Sequence, residues 1–159
     1  MANNTVVFTA PELQSSLTCG LFIDYAQRVL VEGFTLSSSF EAILGATCRS
    51  NFPRHTNLVH LEREDSSAPL KILHYIFTHS HFRPWGHCLP AVCPSCKSPR
   101  PWTRPTDHKG SLSFACKRSS CKHVCRFAKP QGVVLLQKET TGGRWMVKQD
   151  LVELESFTL

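Results

Sequence analysis

Four cysteines are spaced to hold a metal. Cys93-Pro94-Ser95-Cys96 forms one close pair, and Cys116 and Cys121 flank Lys117-Arg118-Ser119-Ser120 as a second, with a 19-residue insert carrying Trp102 between them. Two close-spaced cysteine pairs about 15 to 20 residues apart are the pattern of a structural zinc site. Each pair sits on a tight turn that points two thiolates to one side, and an intervening hairpin brings the turns together as a tetrahedron. One structural Zn2+ on Cys93, Cys96, Cys116 and Cys121 is therefore expected. With all four positions filled by thiolate there is no place for an activated water, so the metal should not be catalytic.

Other uses of these thiols are weighed against that one. Disulfides need an oxidising compartment, and Met1-Ala2-Asn3-Asn4 places no basic residue before its short apolar patch, so no secretory leader is expected. Rubredoxin-type iron sites share the four-sulfur geometry, but they usually repeat the two-residue spacing and follow the turn with glycine. Here Lys97 follows the first pair and four residues split the second. His87, Cys88, His123 and Cys125 lie close enough in sequence to compete as ligands, and Cys125 or His123 in place of Cys121 stays open at this stage.

Two catalytic constellations also need testing. His60-Leu61-Glu62, followed about thirty residues later by Cys93-Pro94-Ser95-Cys96, resembles the signature of zinc-dependent nucleobase deaminases, in which a histidine and two cysteines hold zinc and the glutamate moves protons. The match lacks a proline directly before the first cysteine and leaves Cys116 and Cys121 unused. The second candidate is a nuclease built on His74, His79, His81 and His87. No acidic residue lies between Pro69 and Pro105 to complete it for a hard divalent ion. Neither is preferred, and the chain is expected not to be an enzyme.

Charge points elsewhere. The chain carries a formal +6, unevenly distributed: residues 1–82 have five basic side chains against seven acidic ones, residues 83–148 thirteen against two, and the last eleven residues three acids and no base. A four-thiolate zinc centre is formally −2, which offsets only part of the excess. Lys97, Arg100 and Arg104 sit in the insert, Lys117, Arg118 and Lys122 around the second pair, and Arg126 beyond it. Trp102, Phe114, Phe127 and Trp145 are interleaved with the cations. Phosphates attract such cations in a salt-dependent way, and bases stack on such rings. Phe114 and Phe127, beside ligands, read as core; Trp102 and Arg118, in loops, read as exposed. The expected partner is nucleic acid, DNA slightly ahead of RNA, bound through Lys97, Arg100, Trp102, Arg104, Lys117, Arg118, Lys122 and Arg126. A protein-protein adaptor meeting an acidic partner is the alternative.

The elements that must position these residues read as an α+β chain: a small helical domain over residues 1–82, then a zinc ribbon over 83–159 extended into an antiparallel sheet. Thr9-Ala10-Pro11-Glu12 has the form of a helix start. Leu21, Phe22, Tyr25, Ala26, Val29 and Leu30 repeat at helical spacing before Gly33. Ser38-Ser39-Phe40-Glu41 caps a shorter helix with Phe40, Ile43 and Leu44 on one face, and 57–62 reads as a short strand. A third helix is expected from Pro69, burying Leu70, Leu73, Ile76 and Phe77 and ending at His79-Ser80-His81. Phe82 to Gly86 is the expected hinge. Beyond Cys121, β-rich segments around 124–127, 133–136 and 144–147, with a turn over 139–143, would bring the ribbon to four or five strands. No apolar run approaches the roughly 20 residues of a membrane span. No membrane partner is expected, and the protein should be intracellular, nuclear ahead of cytoplasmic. A homodimer through the helical part is the expected assembly.

Cys-Pro-x-Cys, a tryptophan in the insert, Cys-x4-Cys and then Gly142-Gly143-x-Trp145 are similar to uncharacterised zinc-ribbon proteins of mushroom-forming fungi. The resemblance covers the carboxy-terminal half and a little of the helical half, and it implies a ribbon fold without assigning an activity.

Overall fold

The computed structural model describes residues 3–10, 14–48, 50–65, 67–99, 101–136 and 143–152. It is an α+β chain of two helices and eight strands among these residues, the strands lying in two antiparallel sheets. The chain divides into two compact units, Met1–Phe77 with Gly132–Leu159, and Thr78–Gln131. The expected break at residue 82 would have left the whole carboxy-terminal stretch with the ribbon; instead its end returns to the first unit.

The first unit is a five-stranded sheet with two helices. Strands β1 (Asn3–Phe8), β2 (Leu58–Arg63), β3 (Leu70–Thr78), β7 (Val133–Leu135) and β8 (Arg144–Val152) lie in the order β1-β2-β3-β8-β7. Helix α1 (Ser15–Tyr25) continues as a wider π-helical turn over Ala26–Val31 and stops before Gly33, whose φ is +76°. It packs on α2 (Leu36–Thr47) as expected. The α1 stripe is only partly covered: Leu21 is buried while Phe22, Ile23, Leu30, Val31 and Phe34 stay exposed. The expected start at Pro11-Glu12 lies outside the described residues. Helix α2 begins one turn before the expected capping box, with Thr35 as its cap accepting from the Ser38 N–H at 3.2 Å. It buries the expected Phe40, Ile43 and Leu44, and Gly45 does not end it.

The third helix expected from Pro69 is strand β3. Leu73, Tyr75 and Phe77 are buried in strict alternation, while Ile72, His74 and Ile76 on the other face are half-buried. Because the half-buried face also carries Ile72 and Ile76, the strand reads in sequence as a near-continuous apolar run that fits a helical period as well. The histidines read as its helical end instead form a tight turn in which His79 and Arg83 exchange backbone hydrogen bonds of 3.0 and 3.1 Å.

β8 does not extend the ribbon. Its Trp145 is fully buried in the first unit, edge-on to Phe77, with its indole N–H donating to Leu44 O at 3.0 Å and lying 3.3 Å from Thr47 Oγ1. The turn expected before it lies, except for Gly143, outside the described residues.

The second unit is a three-stranded sheet, β4 (Thr106–His108), β5 (Ser111–Ala115) and β6 (Val124–Ala128), in that order. Lys109 and Gly110 join β4 to β5 with φ of +51° and +84°, the two left-handed positions of a type I′ hairpin turn. Leu112, Phe114 and Phe127 turn to one face, where Phe114 meets Phe127 edge-on. The expected hinge is packed instead: Arg83, Pro84 and Trp85 are buried, and the Trp85 N–H donates to Thr78 Oγ1 at 2.9 Å.

Trp145→Phe should cost about 1–3 kcal/mol in urea unfolding, because Leu44 O loses its buried donor, while metal content is unchanged. Loss of metal in this variant would return Trp145 to the ribbon.

Candidate metal centre

The first pair of thiols is positioned by the turn from Val92 to Pro99, which pair across an antiparallel bridge. Within it the Cys93 N–H donates to Ser98 O and the Lys97 N–H to Cys93 O, both at 2.9 Å. Lys97 takes φ +59°, the left-handed conformation that glycine adopts most cheaply. The expected tight turn thus forms with Lys97 at the position where a rubredoxin-type turn carries glycine. The second pair lies on the connection from β5 to β6, where the Cys116 N–H donates to His123 O at 3.0 Å and the Cys121 N–H to Arg118 O at 2.8 Å.

The two turns bring Cys93, Cys96, Cys116 and Cys121 together with their sulfurs all within 4.8 Å of one another. Cys93 and Cys121 Sγ are 3.9 Å apart, and Cys96 and Cys116 Sγ 3.6 Å apart. A metal about 2.3 Å from each of four tetrahedral sulfurs separates them by about 3.8 Å, so the spacing fits. A disulfide would need about 2.05 Å, and all four thiols are free. These four residues are placed to hold a metal ion.

The thiols of the cluster are electrostatically coupled to one another. Ser98, through its hydroxyl and its backbone N–H, holds the Cys96 thiol down to about 6, and the Cys116 and Cys93 thiols add to the effect. At Cys116 the Arg118 N–H lowers the pKa, but burial and the adjoining Cys96, Cys121 and Cys93 outweigh it and push the thiol up to about 12. One thiolate forms readily and then keeps protons on its neighbours; a divalent ion removes that conflict. The Ser98 and Arg118 N–H groups occupy equivalent places two residues after Cys96 and Cys116, each aimed at a sulfur that carries charge in the metal-bound state.

The competing ligands stand outside. Cys88 is exposed, and Cys125 Sγ lies 3.6 Å from His123 Nε2, neither belonging to the four-sulfur group. His60 and Glu62 are engaged within the first unit. His60 is buried on β2 with Nε2 2.8 Å from Asn4 Oδ1, and Glu62 is tied to Ser37 and, at 3.1 Å, to Lys71.

No protein-family model, curated protein or solved structure matches the chain. The site therefore stands on its own geometry.

Around the four cysteines, the expected cations Lys97, Arg104, Lys117, Arg118, Lys122 and Arg126 are all exposed, and Arg100 lies outside the described residues. Trp102 is half-buried where exposure was expected: it bridges to Cys116, and its indole N–H donates to Pro90 O at 2.7 Å. Arg104 and Lys117 line one cleft with Trp102. Arg126 lies instead on the outward sheet face with His108, Ser111 and Ser113. Sequence reasoning missed His81 and Phe82, which line the cleft beside Trp102. Their signal was a pair of rings just before Arg83 in a segment without apolar period, taken for a helix end and hinge.

Two outcomes are expected. Cys93→Ser or Cys116→Ser should lose the bound metal and unfold the second unit, since a structural metal contributes on the order of 10 kcal/mol, whereas Cys88→Ser and Cys125→Ser should keep one metal ion per chain by elemental analysis. His60 is a separate check on the first unit. Burial lowers its pKa below the ordinary 6.5, with Glu62 opposing and Lys71 assisting. Below that pH the unfolded chain takes up a proton that the folded chain refuses, so stability falls with acidification. The slope is at most about 1.4 kcal/mol per pH unit, and His60→Gln should flatten it.

Proposed function

We propose that the second unit is a zinc ribbon that binds nucleic acid without catalysing a reaction on it. The observation that carries the proposal is the charge of that unit. Residues 78–131 hold ten basic side chains against one acid, Asp107, a net of +9 before the metal centre is counted. Among the described residues, none of Lys97, Arg104, Lys117, Arg118, Lys122 and Arg126 is paired with a carboxylate. A formal −2 at a four-thiolate zinc leaves most of this charge for a partner, and phosphates are the partner that exposed, unpaired cations attract most generally.

Zinc suits the site because four thiolates at tetrahedral spacing match its coordination, and a closed thiolate shell leaves no position for substrate or water. The resemblance to fungal zinc-ribbon proteins belongs to this proposal and rests on the matching residues. Nuclear localisation, where DNA and nascent RNA are concentrated, belongs to it as well.

A protein-protein adaptor is the second reading, favoured by the apolar side chains Phe22, Ile23, Leu30, Val31 and Phe34 exposed on the first unit. In that case the basic unit would meet an acidic protein, or a second copy would cover the helical face. Salt separates the readings. Binding to nucleic acid should weaken with a log-log slope of about −0.9 per neutralised phosphate on duplex or −0.7 on a single strand. Arg118→Ala with Lys122→Ala should flatten the slope by roughly one to two units with the metal retained. An adaptor predicts no measurable binding to any nucleic acid at moderate salt.

A further inference from the structure

One cleft of the second unit is more than a charged surface. It is an open cleft of about 670 Å³ lined by three flat rings, His81, Phe82 and Trp102, by the apolar Leu89, Pro90 and Ala91, and by the cations Arg104 and Lys117. No carboxylate lines it among the described residues. Its size falls in the range of about 300–1,000 Å³ that takes small molecules. A duplex presents only base edges in its grooves, and those are read by elements that project. A concave, ring-lined site can be filled only by a base whose face is exposed.

From this we propose that the cleft takes an unpaired nucleobase together with its adjoining phosphate, so that the ligand of the second unit is single-stranded DNA or RNA. The inference rests on the nucleic-acid reading above and adds the strand state to it. The ring positions are fixed in advance. Trp102 is held by its N–H bond to Pro90 O and leans against His123 at 6.1 Å between centroids, while Phe82 is stacked on His79 at 3.7 Å. Because the indole donor is already used, Trp102 offers the ligand its ring and no hydrogen bond. Stacking without a donor discriminates weakly among bases, so the cleft should take strands of many sequences. Arg104 and Lys117 supply the charge for the phosphate beside the stacked base. Lys117 follows the ligand Cys116 directly, so the metal turn also places one wall of the cleft.

The test is fluorescence anisotropy with the metal-loaded full chain and four labelled probes of about ten nucleotides. These are oligothymidylate, oligouridylate, an abasic strand with the same phosphates, and a mixed-sequence duplex. Both base-containing single strands should bind about 5- to 150-fold more tightly than the abasic strand, the equivalent of roughly 1–3 kcal/mol for one stacked base. Trp102→Ala should erase that preference, Trp102→Phe should keep most of it, and the salt slope should hold in both. Phe82→Ala should reduce the preference as a second probe of the same wall. If Trp102→Ala loses its metal, the comparison between base-containing and abasic strands on the parent protein decides alone. Equal binding of abasic and base-containing strands overturns the inference, and so does tighter binding of the duplex, while both leave the nucleic-acid reading standing. Binding to none of the probes overturns both.

Discussion

Four sulfurs within 4.8 Å of one another are the constraint on which the second unit depends. As neutral thiols they would pack as small apolar groups, but as bare thiolates they would repel. The opposite displacements of Cys96, down to about 6, and Cys116, up to about 12, express that conflict. Only a cation at their centre lets all four carry charge at once. The unit needs this because its apolar interior is small: Leu112 and Phe114 with the half-buried Phe127 are the main apolar side chains of its sheet, and so small a core cannot hold the turns by itself. A metal held by the four sulfurs would substitute for the missing core.

The same centre arranges the surface. Lys97 sits in the first metal turn, Lys117 and Arg118 in the second, and Lys122 directly after Cys121, so fixing the sulfurs fixes where four cations leave the backbone. Trp102 bridges to Cys116 and is held by Pro90, which ties the cleft to the metal turn as well. In the first unit stability comes from ordinary burial instead, with Trp145, Phe77, Phe52, Ile43 and Leu44 shielded from water and His60 kept neutral among them. Positive charge is concentrated on the unit that carries the four cysteines.

What the sequence made legible was local. The cysteine pairs could be read because metal ligation depends on turns of a few residues, and the face of α2 because Phe40, Ile43 and Leu44 recur at one period. The strands around Val124, Val133 and Trp145 were legible for the same reason. β3 was not, since Ile72 and Ile76 on its half-buried face mask the alternation of Leu73, Tyr75 and Phe77, and Leu70, Leu73, Ile76 and Phe77 fit a helix equally well. The destination of β8 was hidden because pairing beside β3 depends on partners about 70 residues away, which no local period encodes. His81 and Phe82 joined the cleft only through the turn that His79 and Arg83 close.

The measurement that reaches the central claim most directly is X-ray absorption at the zinc edge on the purified chain. Four sulfur scatterers at about 2.3 Å, with no nitrogen or oxygen in the inner shell, are predicted. A shell of three sulfurs and one light atom would open the site to water or to His123 and contradict a purely structural centre. A chain that carries no zinc while its second unit stays folded would contradict the account altogether.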